Sequence, residues 1–134
     1  MKITITGPRS VGKTAVSKLV AKKLGLNYVS SDEIGEKALK KQGGLDKAIK
    51  SGAVEKFIKN KGYSLITEQY AKDNFVFDLS GGSISSKKYL EASEKVRKTA
   101  KENSIIIGLL PSRNKKESIN LLFSREKERI HFKD

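Results

Sequence analysis

Apolar and polar positions alternate over Lys2–Thr6 (Lys-Ile-Thr-Ile-Thr), mostly β-branched, and the pattern predicts a strand. Val16, Leu19, Val20 and Leu24 then recur at helical spacing, and Gly25 stands where a helix stop is expected. Asn27-Tyr28-Val29 is a short second strand. Ser30 or Ser31 can cap the next helix, which runs to about residue 41, and Glu33 is placed to complete a capping box from Ser30. Gly43-Gly44 breaks it, and helical stretches follow at 45–50 and 53–70. Residues 75–79 form a compact apolar strand ending at Gly81-Gly82. A helix over 86–103 turns Tyr89, Leu90, Val96 and Ala100 inward. Residues 105–110 are an almost wholly apolar strand closed by Pro111, and a last helix covers about 115–124. Apolar strands alternating with helices predict a parallel sheet covered on both faces, without linker, repeat or low-complexity stretch. Ligands of such sheets sit at the carboxyl ends of the strands, so chemistry is expected just after each one.

Composition narrows the class. A chain of 134 residues is one domain with room for a core. No apolar run reaches membrane-spanning length, and Gly7 and Pro8 interrupt the first apolar segment before it could be a secretory leader. The expected location is the cytoplasm. With no cysteine, disulfides and thiolate metal sites are excluded, and His131 is the single histidine. The absence of cysteine and the single methionine are compatible with life at high temperature. The net charge of +13 reads either as a nucleic-acid footprint or as a lysine-rich solvated surface around an anion site. The lysines are scattered over helix faces (Lys22, Lys23, Lys37, Lys40, Lys41, Lys47, Lys50), and aromatic residues are not interleaved with them. That distribution favours the solvated surface.

Residues 7–14, Gly-Pro-Arg-Ser-Val-Gly-Lys-Thr, fit the pattern of a phosphate-binding P-loop, lying between the first strand and first helix. Glycines at 7 and 12 let the backbone turn its N–H groups toward phosphate oxygens, and the helix dipole adds to that field. Lys13 is expected to reach the β/γ-phosphates and Thr14 to hold Mg²⁺. The expected nucleotide contacts are Gly7, Ser10, Val11, Gly12, Lys13, Thr14 and Ala15, with ATP and Mg²⁺ as the cofactors.

The other strand ends carry candidates too. The second ends in Ser30-Ser31-Asp32, where Asp32 is either a functional carboxylate near the phosphates or a first-turn acid that favours the helix dipole. The third ends Phe75-Val76-Phe77-Asp78, the Walker B pattern of apolar residues and then an acid that takes Mg²⁺ or one of its waters. Ser80-Gly81-Gly82-Ser83 allows close approach of a ligand to backbone N–H groups, although a plain tight turn uses the same residues. The charged segment 124–134 offers Arg125 and Arg129, either as lid cations for the transferring phosphoryl group or as a solvated helix end.

Taken in order, the P-loop, Leu24-Gly25-Leu26-Asn27-Tyr28-Val29-Ser30-Ser31-Asp32, Asp78-Leu79-Ser80-Gly81-Gly82 and Arg129-Ile130-His131-Phe132 resemble the shikimate kinase family, including its archaeal-type relatives, over nearly the whole chain. The resemblance implies an α/β three-layer P-loop NTPase fold with strand order 2-3-1-4 and transfer of the ATP γ-phosphoryl group to a hydroxyl of shikimate. It makes Asp32 the residue that positions the acceptor, Gly81 and Gly82 the lining of the acceptor site, and Arg129 the lid arginine. Ser30 replaces the family's first Asp, and Asp78 is expected to supply the Mg²⁺ contact instead. The family's carboxylate-clasping arginine has only Lys59 as a counterpart, a point charge rather than a fork. The fifth strand and last helix of the family would lie beyond Asp134, so the domain is expected to be C-terminally incomplete. The fourth strand is then an edge, a place for self-association of an otherwise monomeric chain. The alternatives are a nucleotide or other small-metabolite kinase and, from another class, a non-catalytic nucleotide-binding module that binds RNA.

Overall fold

Strand β1 (Lys2–Thr6) is central because both of its faces are covered: Ile3 and Ile5 point to one layer, and Thr4 and Thr6 are buried on the other. The computed structural model of the chain describes residues 1–8, 11–40, 43, 45–52 and 63–127. Around β1 lie β2 (Asn27–Ser30), β3 (Phe75–Asp78) and β4 (Ile105–Gly108), all parallel, in the order β2-β3-β1-β4. The expected topology is the one observed. Among the described residues the helices are α1 (Lys13–Leu24), α2 (Ser31–Ala38), α3 (Leu45–Ser51), α4 (Tyr63–Gln69), α5 (Gly82–Ser85), α6 (Leu90–Asn103) and α7 (Lys115–Lys127).

Side chains of a strand alternate between faces, and β3 uses both for the core. Val76 joins Ile3, Ile5 and Ala21 beneath α1. Phe75 and Phe77 join Tyr70, Leu79, Val96 and Ala100 beneath α4 and α6. Polar Thr4 sits at the second face, where its hydroxyl lies 2.8 Å from the Tyr70 hydroxyl and 2.7 Å from Ser104 Oγ. Alternation in β1 therefore marks two buried faces rather than one wet face.

Helix α1 buries a different face from the one its apolar spacing predicts, and α6 keeps the expected Val96 and Ala100 inward but not Leu90. In α1 the buried residues are Ser17 and Ala21, whereas Leu19 and Leu24 are 53% and 52% exposed. This helix lies across β2 and β3, and small side chains one turn apart let its backbone approach the sheet closely. In α6 the inward residues are Ser93, Val96 and Ala100, while Leu90 is exposed. The helix starts at Leu90 rather than 86, because extended backbone at Ser86 separates it from the short α5. Helix α2 ends at Ala38, three residues before the expected stop. The first ten residues of the expected 53–70 helix, 53–62, lie outside the described residues.

Strand β4 is the fourth of four, with Ile105, Ile106 and Ile107 at 58%, 40% and 40% exposure. Among the described residues it stands at one end of the sheet.

Candidate active site

The loop after β1 is gripped from two sides. A Cβ on Gly7 would lie 2.6 Å from the Leu109 carbonyl oxygen, just past β4. A Cβ on Gly81 would lie 2.8 Å from the Gly7 carbonyl oxygen. Gly81 has ordinary right-handed backbone angles, so close packing against the loop is what requires glycine there, not a special turn. Gly12 is left-handed (φ 98°) and begins α1, with its carbonyl accepting from Val16 N–H at 3.1 Å. Lys13 folds back and its ammonium donates to the Pro8 carbonyl at 3.2 Å.

Opposite the loop, parity fixes which way the third strand points its acid. Val76 belongs to the layer under α1, so Asp78, two residues on, faces the same helix. Thr14 at the start of α1 donates to Asp78 Oδ2 at 2.9 Å. The Tyr28 hydroxyl on β2 donates to the same oxygen, also at 2.9 Å. Tyr28 reaches it because β2 sets Tyr28 beside Val76 and Ser30 beside Asp78. Burial first, and then the neighbouring Asp78 carboxylate, push the Tyr28 phenol up to about 12. The phenol therefore stays a donor throughout the neutral range.

A second tie joins the ends of β2 and β3, where Ser80 N–H donates to Ser31 Oγ at 2.9 Å. The Ser30 hydroxyl accepts from Glu33 N–H at 3.3 Å, which is the helix cap expected from the sequence. Asp32, in the first turn of α2, is exposed. Between the loop and α5 lies a cleft of about 520 Å³ lined by Thr6, Gly7, Pro8, Gly81, Gly82, Ile84 and Ser85. Gly81 and Gly82 thus share a cleft with the phosphate loop, and Asp32 is not among its lining residues. Val11 is half-buried, Ala15 is exposed, and Arg125 is exposed on α7, away from the strand ends in sequence. Ser10, Lys59 and Arg129 lie outside the described residues.

The donor set suits Mg²⁺. A hydroxyl has one proton, and that of Thr14 is committed to Asp78, which leaves its oxygen lone pairs for a cation. Among the described residues no group of three or more His, Cys, Asp or Glu could hold a metal. Mg²⁺ in nucleotide sites is usually held by one or two protein oxygens together with phosphate and water. Thr14 and Asp78 are the residues that would hold it.

The cytidylate kinase-like family model matches residues 2–124. The chain belongs to that family. A cytidylate kinase from Archaeoglobus fulgidus is 46% identical over 43 residues, which is 32% of this chain and 24% of the relative. Among solved structures, the chain is similar to shikimate kinase from Acinetobacter baumannii, determined with shikimate, at 22% identity and a TM-score of 0.71. The similarity covers 96% of this chain and 62% of that one, so this family member spans under two thirds of the neighbour. Shikimate kinase from Aquifex aeolicus gives 20% identity and a TM-score of 0.65, covering 95% and 79%. These likenesses establish a P-loop kinase fold.

Tyr28 was not among the candidate site residues, and Ser31 entered the sequence reading only at a strand end and as a possible helix cap. Tyr28 read as one apolar position of a strand, and only the β2–β3 register shows that its hydroxyl ends beside Asp78. A tyrosine two residues before a strand end, at the parity of the neighbouring strand's acid, is the signal that carries this information.

Proposed function

We propose that this chain is the core of an ATP-dependent kinase that transfers the γ-phosphoryl group to a nucleoside monophosphate of the cytidylate class. The Thr14–Asp78 hydrogen bond carries the reading, because it joins the P-loop helix to the strand-end carboxylate at the point where a nucleotide-bound Mg²⁺ would sit. Family membership and the 43-residue match to a cytidylate kinase support the acceptor class. The P-loop N–H groups and Lys13 would hold the phosphates, and Lys13 would neutralise charge that develops on the transferring group. Mg²⁺ would supply further neutralisation of the phosphate oxygens. The acceptor atom would be a phosphate oxygen of the nucleoside monophosphate, with Gly81 and Gly82 lining its cleft; Asp32 would orient an acceptor hydroxyl on the second reading below. Arg125 and Arg129 would act from a lid over 124–134, with residues 1–134 forming one domain. Lys59 would meet an anionic group of the acceptor. The exposed β4 edge would be the surface for self-association.

A second reading takes shikimate as the acceptor. It is supported by the match of Asp32 and Gly81-Gly82 to the shikimate kinase pattern, and by the Ser31–Ser80 bond that ties their two segments together. The experiment is ADP release with CMP, UMP, AMP and shikimate offered singly. Turnover with CMP is expected. Turnover with shikimate alone would favour the second reading, and ATP binding without any turnover would favour a non-catalytic nucleotide-binding module.

A further inference from the structure

We propose that Tyr28 is a positioning residue for the nucleotide-bound Mg²⁺, fixing the Asp78 carboxylate so that its second oxygen faces the metal's water shell; this rests on the metal assignment of Thr14 and Asp78 above. The side chain of a strand-end aspartate can pivot about two torsions. One hydrogen bond from Thr14 leaves the carboxylate free to swing about that contact. A second donor, arriving on the same Oδ2 from a different strand, removes that freedom and leaves Oδ1 uncommitted by either hydroxyl. Asp78 is buried and Thr14 is exposed, so the carboxylate sits behind the threonine that faces the ligand.

The phenol is itself well held. Its ring packs among the residues beneath α1, the Lys18 ammonium stands 5.4 Å from the ring centroid, and the register of β2 on β3 sets its height. Two effects of the Tyr28 bond oppose each other. Donation to Oδ2 draws charge from the carboxylate, which weakens its pull on a cation, while alignment strengthens it. Alignment wins, because a partner that orients a metal-binding group typically changes metal affinity by about 10-fold or more.

The test uses Tyr28→Phe in the full chain, which keeps the ring and its packing and removes only the donor. ATP affinity is measured by calorimetry with Mg²⁺ and with EDTA, and the ratio of the two is compared between variants. Wild type should bind more tightly with Mg²⁺, and Asp78→Asn should abolish most of that gain. Tyr28→Phe should lower the ratio by about 10-fold and leave the EDTA affinity near wild type. An unchanged ratio in Tyr28→Phe, whether both affinities hold or both fall together, overturns the positioning role while the Asp78 result keeps the metal assignment standing. If wild type shows no gain from Mg²⁺, the metal assignment falls and the role of Tyr28 falls with it.

Discussion

Lys13 and Tyr28 serve the same loop in different ways. The ammonium of Lys13 donates to the Pro8 carbonyl, within its own loop, and the residue is only half-buried. Lys13→Ala should therefore abolish phosphoryl transfer and weaken ATP binding by more than about 10-fold, while the melting temperature stays near wild type, because a charge-assisted bond to phosphate is worth roughly 1.5–3 kcal/mol. Calorimetry and a thermal melt on the same sample check both halves. Tyr28 leaves a mark at alkaline pH. Its phenol titrates at about 12 in the fold against 10.0 for the free group, so the folded state holds the proton after the unfolded chain has lost it. The corresponding stability is complete below pH 10 and is lost as pH rises toward 12. Tyr63 and Tyr70 shift in the same direction through burial, so the wild-type curve alone does not isolate Tyr28. Denaturant titrations of wild type and Tyr28→Phe should show a shallower alkaline decline in the variant.

Among the elements, the short helix α5 matters most for its first contact. Gly81 at its N-terminus presses on the backbone of Gly7, and any Cβ there would come within 2.8 Å of a carbonyl oxygen that has no side-chain freedom to yield. Gly81→Ala should destabilise the chain by about 1–3 kcal/mol through overpacking and weaken nucleotide binding by displacing the loop. Gly82→Ala, with nothing within 4 Å of its added Cβ, is the matched control and should leave both nearly unchanged. Chemical denaturation of the pair decides the point. The sequence reading took this Gly-Gly pair as room for a ligand, and the structure gives glycine at 81 a different reason. That reason is the phosphate loop itself, a contact between segments more than seventy residues apart that no local pattern encodes. The same holds for α1, whose apolar spacing pointed to Leu19 and Leu24. The sheet instead takes Ser17 and Ala21, because closeness of approach outweighed side-chain size.

At the scale of the whole molecule, the exposed edge and the charge act against each other. Ile105, Ile106 and Ile107 offer an exposed apolar strand for edge pairing, while a net charge of +13 opposes the approach of a second copy. Repulsion between exposed charges is screened beyond about 10 Å at 0.1 M salt, whereas apolar burial is not. Self-association should therefore rise with ionic strength, and Ile106→Lys should suppress it; sedimentation velocity at two salt concentrations reads both. The sequence by itself determined the P-loop, the alternation of strands and helices, and the acid that ends β3, because backbone turns, helix caps and burial periodicity are written in neighbouring residues. Strand order was also legible, through the resemblance of spaced motifs to a known kinase pattern. Only the tertiary structure decided that Thr14 and Tyr28 meet on one oxygen of Asp78, that Ser31 ties α2 to the third strand, and that Gly81 clamps the loop. Each of these contacts joins segments far apart in the chain, and its geometry depends on strand register and helix approach, which packing of the two sheet faces sets as a whole.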